Sequence, residues 1–138
     1  MPVKAFFDTN VLIYALAEGD PRSAQAEELL VSGGVLSVQV LNEFVSVARR
    51  KLLMSWSDVN QALDAFRILC PVPLPMTIKT HETALRIAAE HGYNIYDALV
   101  IAASLEAGCA TLYSEDLHDG RTIDGQLTIR NPFAKSSE

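Results

Sequence analysis

The chain has 138 residues, a length that fits one compact domain with a single core. Hydrophobic residues make up 49% and charged residues 20%, ordinary for a soluble globular protein, and no apolar run nears the roughly 18 residues of a membrane-spanning helix. The net charge of −6 argues against binding nucleic acid through a broad basic surface, although a site built from carboxylates would itself lower that sum.

Val3 to Phe7 reads as a short buried strand of aromatic and β-branched residues, without the basic start and apolar core of a signal peptide. It stops abruptly on Asp8-Thr9-Asn10, and Val11 to Ala17 continues as a helix. An acid at the end of a buried segment is either a helix cap or part of a site. In "GDPRSAQAEELLVSGG", Asp20 can cap, Pro21 suits the first helical position and Gly33-Gly34 close the helix. Val35 to Ser37 forms a second short strand.

"SVQVLNEFVSVARRKLL" carries apolar residues at 41, 44, 45 and 48, the spacing of one helix face. Ser57 caps a further helix with Val59, Leu63, Phe66 and Leu69 as its stripe. "CPVPLP" is extended, since each proline removes a donor and fixes φ, and it suits an edge strand. Thr80 opens "THETALRIAAEHG", with Leu85, Ala88 and Ala89 facing inward and Gly92 as the stop. "NIYDALVIAASLEAG" is a strongly apolar helix ending at Gly108. "ATLYS" is a buried strand, "EDLHDGRTIDG" a polar loop and "QLTIRNP" a last strand. Strands alternating with helices point to an α/β fold, a parallel sheet with helices on both faces. Residues 1–134 form one domain and 135–138 a frayed tail.

The two cysteines, Cys70 and Cys109, lie in apolar company and make neither a zinc site nor a disulfide framework. They read as small buried hydrophobes, which assigns the chain to the cytoplasm. His81 and His91 flank the polar side of a helix. His118, two residues past Asp116, is the only histidine near an acid of interest.

Ligand sites in open parallel sheets lie beyond the carboxyl ends of the strands. Asp8 follows the first strand and Asp116 follows "ATLYS". Asp97 opens a helix that must run antiparallel to the strands, so its N-terminus reaches the same edge. Glu43 borders the apolar stripe of its own helix, where a carboxylate needs a partner. Each acid also has a plain reading. Asp8 caps a helix starting at Asn10, Asp97 caps with Asn94, Glu43 pairs with Arg49 or Arg50, and Asp116 is a turn residue. Those readings do not explain why the four fall on one edge. Two carboxylates about 4 Å apart repel by about 4 kcal/mol at an effective dielectric of 20. No basic residue adjoins Asp8, Asp97 or Asp116 in sequence, so a divalent cation is the simplest compensation.

"FFDTNVLIYAL", the "NEF" around Glu43, "YDALVIAASLEAGC" and "LYSEDL" together resemble the PIN-domain family, specifically its VapC-type toxins. The resemblance implies a three-layer sandwich with a central parallel sheet of four to five strands flanked by helices. It implies a Mg2+- or Mn2+-dependent endoribonuclease holding one or two ions, which hydrolyses RNA phosphodiesters with a metal-activated water and leaves a 5′-phosphate and a 3′-hydroxyl. Asp8, Glu43, Asp97 and Asp116 occupy the family's acid positions, with Asp119 close enough to replace Asp116. Thr9, Asn10 and Ser114 match its supporting polar residues. The resemblance further implies a cognate antitoxin protein, a homodimer and no membrane association. Arg49, Arg50 and Lys51 are candidate RNA-phosphate contacts, or a solvated helix end favoured by the dipole.

Two alternatives remain. A non-catalytic RNA- or protein-binding domain would be expected to have lost an acid. A haloacid-dehalogenase-like phosphatase also begins on a strand ending in Asp, but its second Asp is Asn10 in this chain.

Overall fold

Phe6, Leu112 and Ile129 are wholly buried, and each lies at the middle of a short strand or one residue from its end. The computed structural model, which describes residues 4–133, pairs those strands into one sheet. β1 (Ala5–Phe7) lies beside β2 (Thr111–Tyr113), and β2 beside β4 (Leu127–Arg130), all parallel. β3 (Thr122–Ile123) runs antiparallel to β4, so the spatial order is β1-β2-β4-β3. The "EDLHDGRTIDG" segment is therefore not all loop. Its Asp124-Gly125 pair takes positive φ at both residues and closes a tight hairpin, with Gln126 N–H donating to the Ile123 carbonyl at 3.0 Å.

The expected strand at 35–37 is an extended segment that makes one parallel bridge on each side, Val35 with Phe6 and Ser37 with Leu74. "CPVPLP" thus supplies the outer edge at Leu74, as its prolines require. Gly34 permits the approach to β1. A Cβ there would stand 2.5 Å from the Phe7 ring and 2.7 Å from the Ala5 carbonyl.

Six helices connect these segments: α1 (Thr9–Ala15), α2 (Arg22–Val31), α3 (Val38–Arg50), α4 (Trp56–Leu69), α5 (Ile78–His91) and α6 (Ile95–Glu106). α1 to α4 pack as one group and α5 with α6 as another, and the two groups flank the sheet. Several expectations for these helices change. Pro21 takes the N-cap position of α2, which starts at Arg22 with no side-chain cap hydrogen bond, and α1 ends at Ala15 rather than Ala17. Ser55, not Ser57, caps α4, its hydroxyl accepting from Asp58 N–H. Thr77 caps α5, and Thr80 is the third helical residue of a reciprocal capping box. The inward face of α5 is Thr80, Ala84 and Ile87, whereas Leu85 is half exposed and Ala89 exposed. Gly92 closes α5 in the left-handed region at φ 76°.

The core runs through both helix groups: Leu12, Phe44 and Phe66 on one side, Ile87 and Ile101 on the other. The Phe44 and Phe66 rings meet edge to face at 5.0 Å. Truncating a buried Phe to Ala at such a place costs about 3–5 kcal/mol. Cys70 and Cys109 are free and buried, and burial pushes both thiols up to about 11. Among the described residues, no helix is long and apolar enough to cross a membrane. The expected tail at 135–138 lies outside the described residues.

Candidate active site

Register brings the site together. Phe7 pairs with Tyr113, so the residues that leave the two strands, Asp8 and Ser114, emerge side by side. Asp8 N–H donates to the Tyr113 carbonyl at 3.0 Å, and Ser114 N–H to the Arg130 carbonyl at 3.0 Å. The Ser114 hydroxyl then donates to Asp8 Oδ2 at 2.7 Å, and Thr9 N–H donates to Oδ1 at 2.7 Å. Asp8 is thereby both the N-cap of α1, which begins at Thr9 rather than Asn10, and a site residue. The two readings are compatible, because a cap uses one carboxylate oxygen.

Asp8, Glu43, Asp97 and Asp116 all line one pocket of about 310 Å³, with Thr9, Asn10 and Tyr14 in its wall. Each carboxylate is held by a donor of the chain. The Thr9 hydroxyl donates to Glu43 Oε2 at 3.0 Å, and Gln39 Nε2 to Oε1 at 3.0 Å. Asn94 caps α6 through Asp97 N–H and donates from Nδ2 to Asp97 Oδ2 at 3.0 Å. Asn10 Nδ2 donates to Asp116 Oδ2 at 3.3 Å, while its Oδ1 accepts from Glu115 N–H. The polar pair after Asp8 thus serves two other acids. The expected pairing of Glu43 with Arg49 or Arg50 does not occur.

Asp116, rather than Asp119, reaches the pocket. Asp119 instead accepts from Asn131 N–H at 2.9 Å, away from the other acids. Of the three basic residues after Glu43, only Lys51 lines the pocket. Arg49 lies over the Trp56 ring at 4.4 Å and donates to the Met54 carbonyl, and Arg50 donates to Ser46. His118 meets the Tyr93 hydroxyl at 3.1 Å and stands outside the pocket, as do His81 and His91.

The electrostatics follow from burial. Asp8 is only 5% exposed. Desolvation pushes its carboxyl up to about 6 against the two hydrogen bonds that oppose it, and the Glu43 and Asp116 charges add to the rise. Asp97 is also raised, by desolvation first and by the charges of Asp116 and Glu43. Such a set of oxygen donors suits a hard divalent cation, and no arginine lines the pocket to compete. As the side chains stand, no group of three His, Cys, Asp or Glu among the described residues is disposed to hold an ion. The carboxylates face a shared space while bound to their own donors.

Gln39 and Tyr14 are site residues that the sequence reading passed over. Gln39 stands four residues before Glu43, the spacing that places two side chains on one helix face. The Tyr14 hydroxyl donates to Glu115 at 2.8 Å and accepts from Arg22 at 2.7 Å. No local sequence pattern marks that contact, which spans 101 residues.

Comparison with known proteins places the fold and the family. Several solved structures share the fold at low identity. A toxin–antitoxin complex from Klebsiella pneumoniae superposes with a TM-score of 0.71 at 19% identity, covering 94% of this chain and 98% of that one. VapC20 of Mycobacterium tuberculosis, a sarcin-ricin loop cleaving toxin, gives 0.61 at 24% identity over 82% of this chain and 90% of its own. VapBC2 of Rickettsia felis, bound to a DNA fragment from its promoter, gives 0.66 at 18% identity over 92% and 98%. No curated protein sequence matches the chain. The family model for the PIN domain matches residues 5–118, a span that holds all four acids, and the chain belongs to the PIN domain family.

Proposed function

We propose that this protein is a divalent-metal-dependent endoribonuclease, the toxin of a type II toxin–antitoxin pair. One observation carries the reading. Four acids from four separate segments line one pocket, and the most buried of them has no cationic partner among the described residues. Asp8 and Asp97 would hold Mg2+ or Mn2+, one or two ions, with Glu43 and Asp116 completing the set. A bound ion supplies a water acidic enough to attack phosphorus and offsets charge on the phosphate oxygens and leaving group.

The chain's own residues do the positioning. Ser114 and Thr9 fix the orientations of Asp8 and Glu43. Asn10 ties α1 to the segment that carries Asp116. Lys51, at the end of α3, is placed to meet an RNA phosphate at the mouth of the pocket, whereas Arg49 and Arg50 are engaged with neighbours of their own.

The similar structures include toxin–antitoxin complexes and an RNA-cleaving toxin, which supports an antitoxin partner and an RNA substrate. A homodimer belongs to the same reading. Two free, buried cysteines fit a reducing cytoplasm. The phosphatase alternative would need a general acid at position 10. Asn10 carries no acid, and its amide is committed to Ser114 and Asp116.

The test is cleavage of a total RNA pool with Mn2+, with and without chelator, comparing the natural chain with Asp8→Asn and Asp97→Asn. Cleavage should need the metal and be lost in both variants. Undiminished cleavage by either variant would sink the reading, and no cleavage by any of the three would favour a non-catalytic binding domain.

A further inference from the structure

Gln39 lies one helical turn before Glu43, and its side-chain amide makes two hydrogen bonds. Nε2 donates to Glu43 Oε1 at 3.0 Å and to the Tyr96 carbonyl at 3.2 Å. These acceptors fix which way the amide faces. Turned over, Oε1 would meet a carboxylate and a carbonyl, and both contacts would be repulsive. In the orientation they impose, Gln39 Oε1 is buried with no donor among the described residues. A buried acceptor without a donor costs stability, which offsets part of what the two hydrogen bonds of the same amide contribute.

The two acceptors belong to the site. Glu43 carries one of the four carboxylates, and its other oxygen is already held by Thr9. Tyr96 directly precedes Asp97 in the first turn of α6. α3 and α6 belong to different helix groups, and this amide makes the one side-chain hydrogen bond between them among the described residues.

We propose that Gln39 is a positioning residue of the acid site, fixing the Glu43 carboxylate and tying it to the turn that presents Asp97. The proposal rests on the metal-dependent nuclease reading above. Gln39 touches no reacting atom in it. It acts through Glu43, and it sets how far apart two of the proposed ligands stand.

The test uses Gln39→Met, which keeps an unbranched chain of similar size and removes the donor, with Gln39→Ala as a second variant. Mn2+ binding is measured by calorimetry on the full chain, beside melting temperature without metal and RNA cleavage with it. Each variant should weaken Mn2+ binding by about 10–100-fold, the usual effect of removing a group that orients a ligand. kcat should fall by a similar factor with KM for RNA unchanged. The metal-free melting temperature should change little, because loss of the two hydrogen bonds is set against removal of the orphaned acceptor. Combined with Glu43→Gln, Gln39→Met should weaken Mn2+ binding no further.

Unchanged Mn2+ binding in both variants, or a loss additive with that of Glu43→Gln, would overturn the proposal. A lower metal-free melting temperature in both with Mn2+ affinity unchanged would overturn it too, since the amide would then support the fold rather than the site. Failure of the parent reading looks different. There, Glu43→Gln would itself leave Mn2+ binding and cleavage intact. If Glu43→Gln impairs both and the Gln39 variants impair neither, only the Gln39 proposal falls.

Discussion

The acids of this protein live in two contrasting settings. Asp20 and Glu115 gather round Arg22, and Glu90 and Asp124 round Arg86, with nitrogen–oxygen distances of 2.7–3.4 Å. Arg22 pulls the Asp20 carboxyl down to about 2, and Arg86 pulls Asp124 below its ordinary value. Asp8, Glu43, Asp97 and Asp116 gather round no arginine, and Asp8 and Asp97 shift the other way. The first setting is complete in itself. The second holds charge that the fold leaves uncompensated, and it lies at the carboxyl edge of a parallel sheet, where such folds bind ligands. A cluster that costs stability and sits at that edge is better explained by what it binds than by what it holds together.

The largest expected effect separates those two roles at one residue. Asp8→Asn should cut Mn2+-dependent RNA cleavage by at least about 100-fold, more than loss of a group that only orients a ligand. The same variant should stabilise the metal-free protein. A carboxyl shifted from 3.8 to about 6 disfavours the folded state at neutral pH by an amount on the order of 2–3 kcal/mol. Thermal melts with chelator read that gain as a rise of several degrees. An Asp8→Asn protein that melts lower than the natural chain would mean that the acid serves the fold.

The pH dependence carries the same contrast. Asp8 has a raised folded value, so its contribution to stability is fully present below about pH 4 and is lost as pH rises through about 6. Asp20 has a lowered folded value, so its contribution is present above about pH 4 and is lost as pH falls toward about 2. Between pH 4 and 7, then, the metal-free chain should lose stability relative to Asp8→Asn, and the gap should open as pH rises. Saturating Mn2+ should close that gap from the natural chain's side, since an ion that binds only the folded state stabilises it. A gap that stays constant from pH 4 to 7 would remove Asp8 as its source.

Ser114→Ala comes next. It removes the donor to Asp8 Oδ2 and the acceptor for Asp116 N–H while leaving both acids in place. Cleavage should fall by about 10–100-fold. Because the lost hydrogen bond opposes the rise of the Asp8 carboxyl, that carboxyl should titrate higher still, as carbon-13 NMR of the side chain would read. No change in the Asp8 titration would mean that the hydroxyl is a strand-end feature only.

Much of this contrast is legible in the chain itself. The edge shared by Asp8, Asp97 and Asp116 follows from strand direction and from the one direction available to α6, both visible as patterns. What the patterns do not carry is register. Nothing local says that Phe7 faces Tyr113, and that pairing is what sets Ser114 beside Asp8; only the family resemblance pointed to Ser114. The pattern does not place a cap where two hydroxyls compete, at Ser55 and Ser57 and at Thr77 and Thr80, since only the neighbouring turn decides which one starts the helix. Hydrophobicity alone points to the wrong face of α5, because Leu85 is more apolar than Ala84. The small residue is the one in the core, and Leu85 is left half exposed. Gln39 was readable as an i, i+4 partner of Glu43, but its second bond, to Tyr96, depends on how two helix groups meet.

Lys51 gives the smallest expected effect and the sharpest boundary to the acid cluster, because it is the one cation in its wall among the described residues. If it met a carboxylate it would belong with Arg22 and Arg86, but it makes no ion pair among the described residues. Lys51 follows the last residue of α3 and is exposed while lining the acid pocket. A phosphate entering the pocket would give it a partner. Lys51→Gln should raise KM for RNA several-fold, leave kcat near its natural value, and lower the salt dependence of binding by about one phosphate contact. Arg86→Gln is the matched control, since its partners Glu90 and Asp124 already neutralise it away from the pocket, and it should change neither. A fall in kcat with unchanged KM for Lys51→Gln would instead place the lysine among the groups that act on the reacting phosphate, and the acid pocket would then contain its own cation.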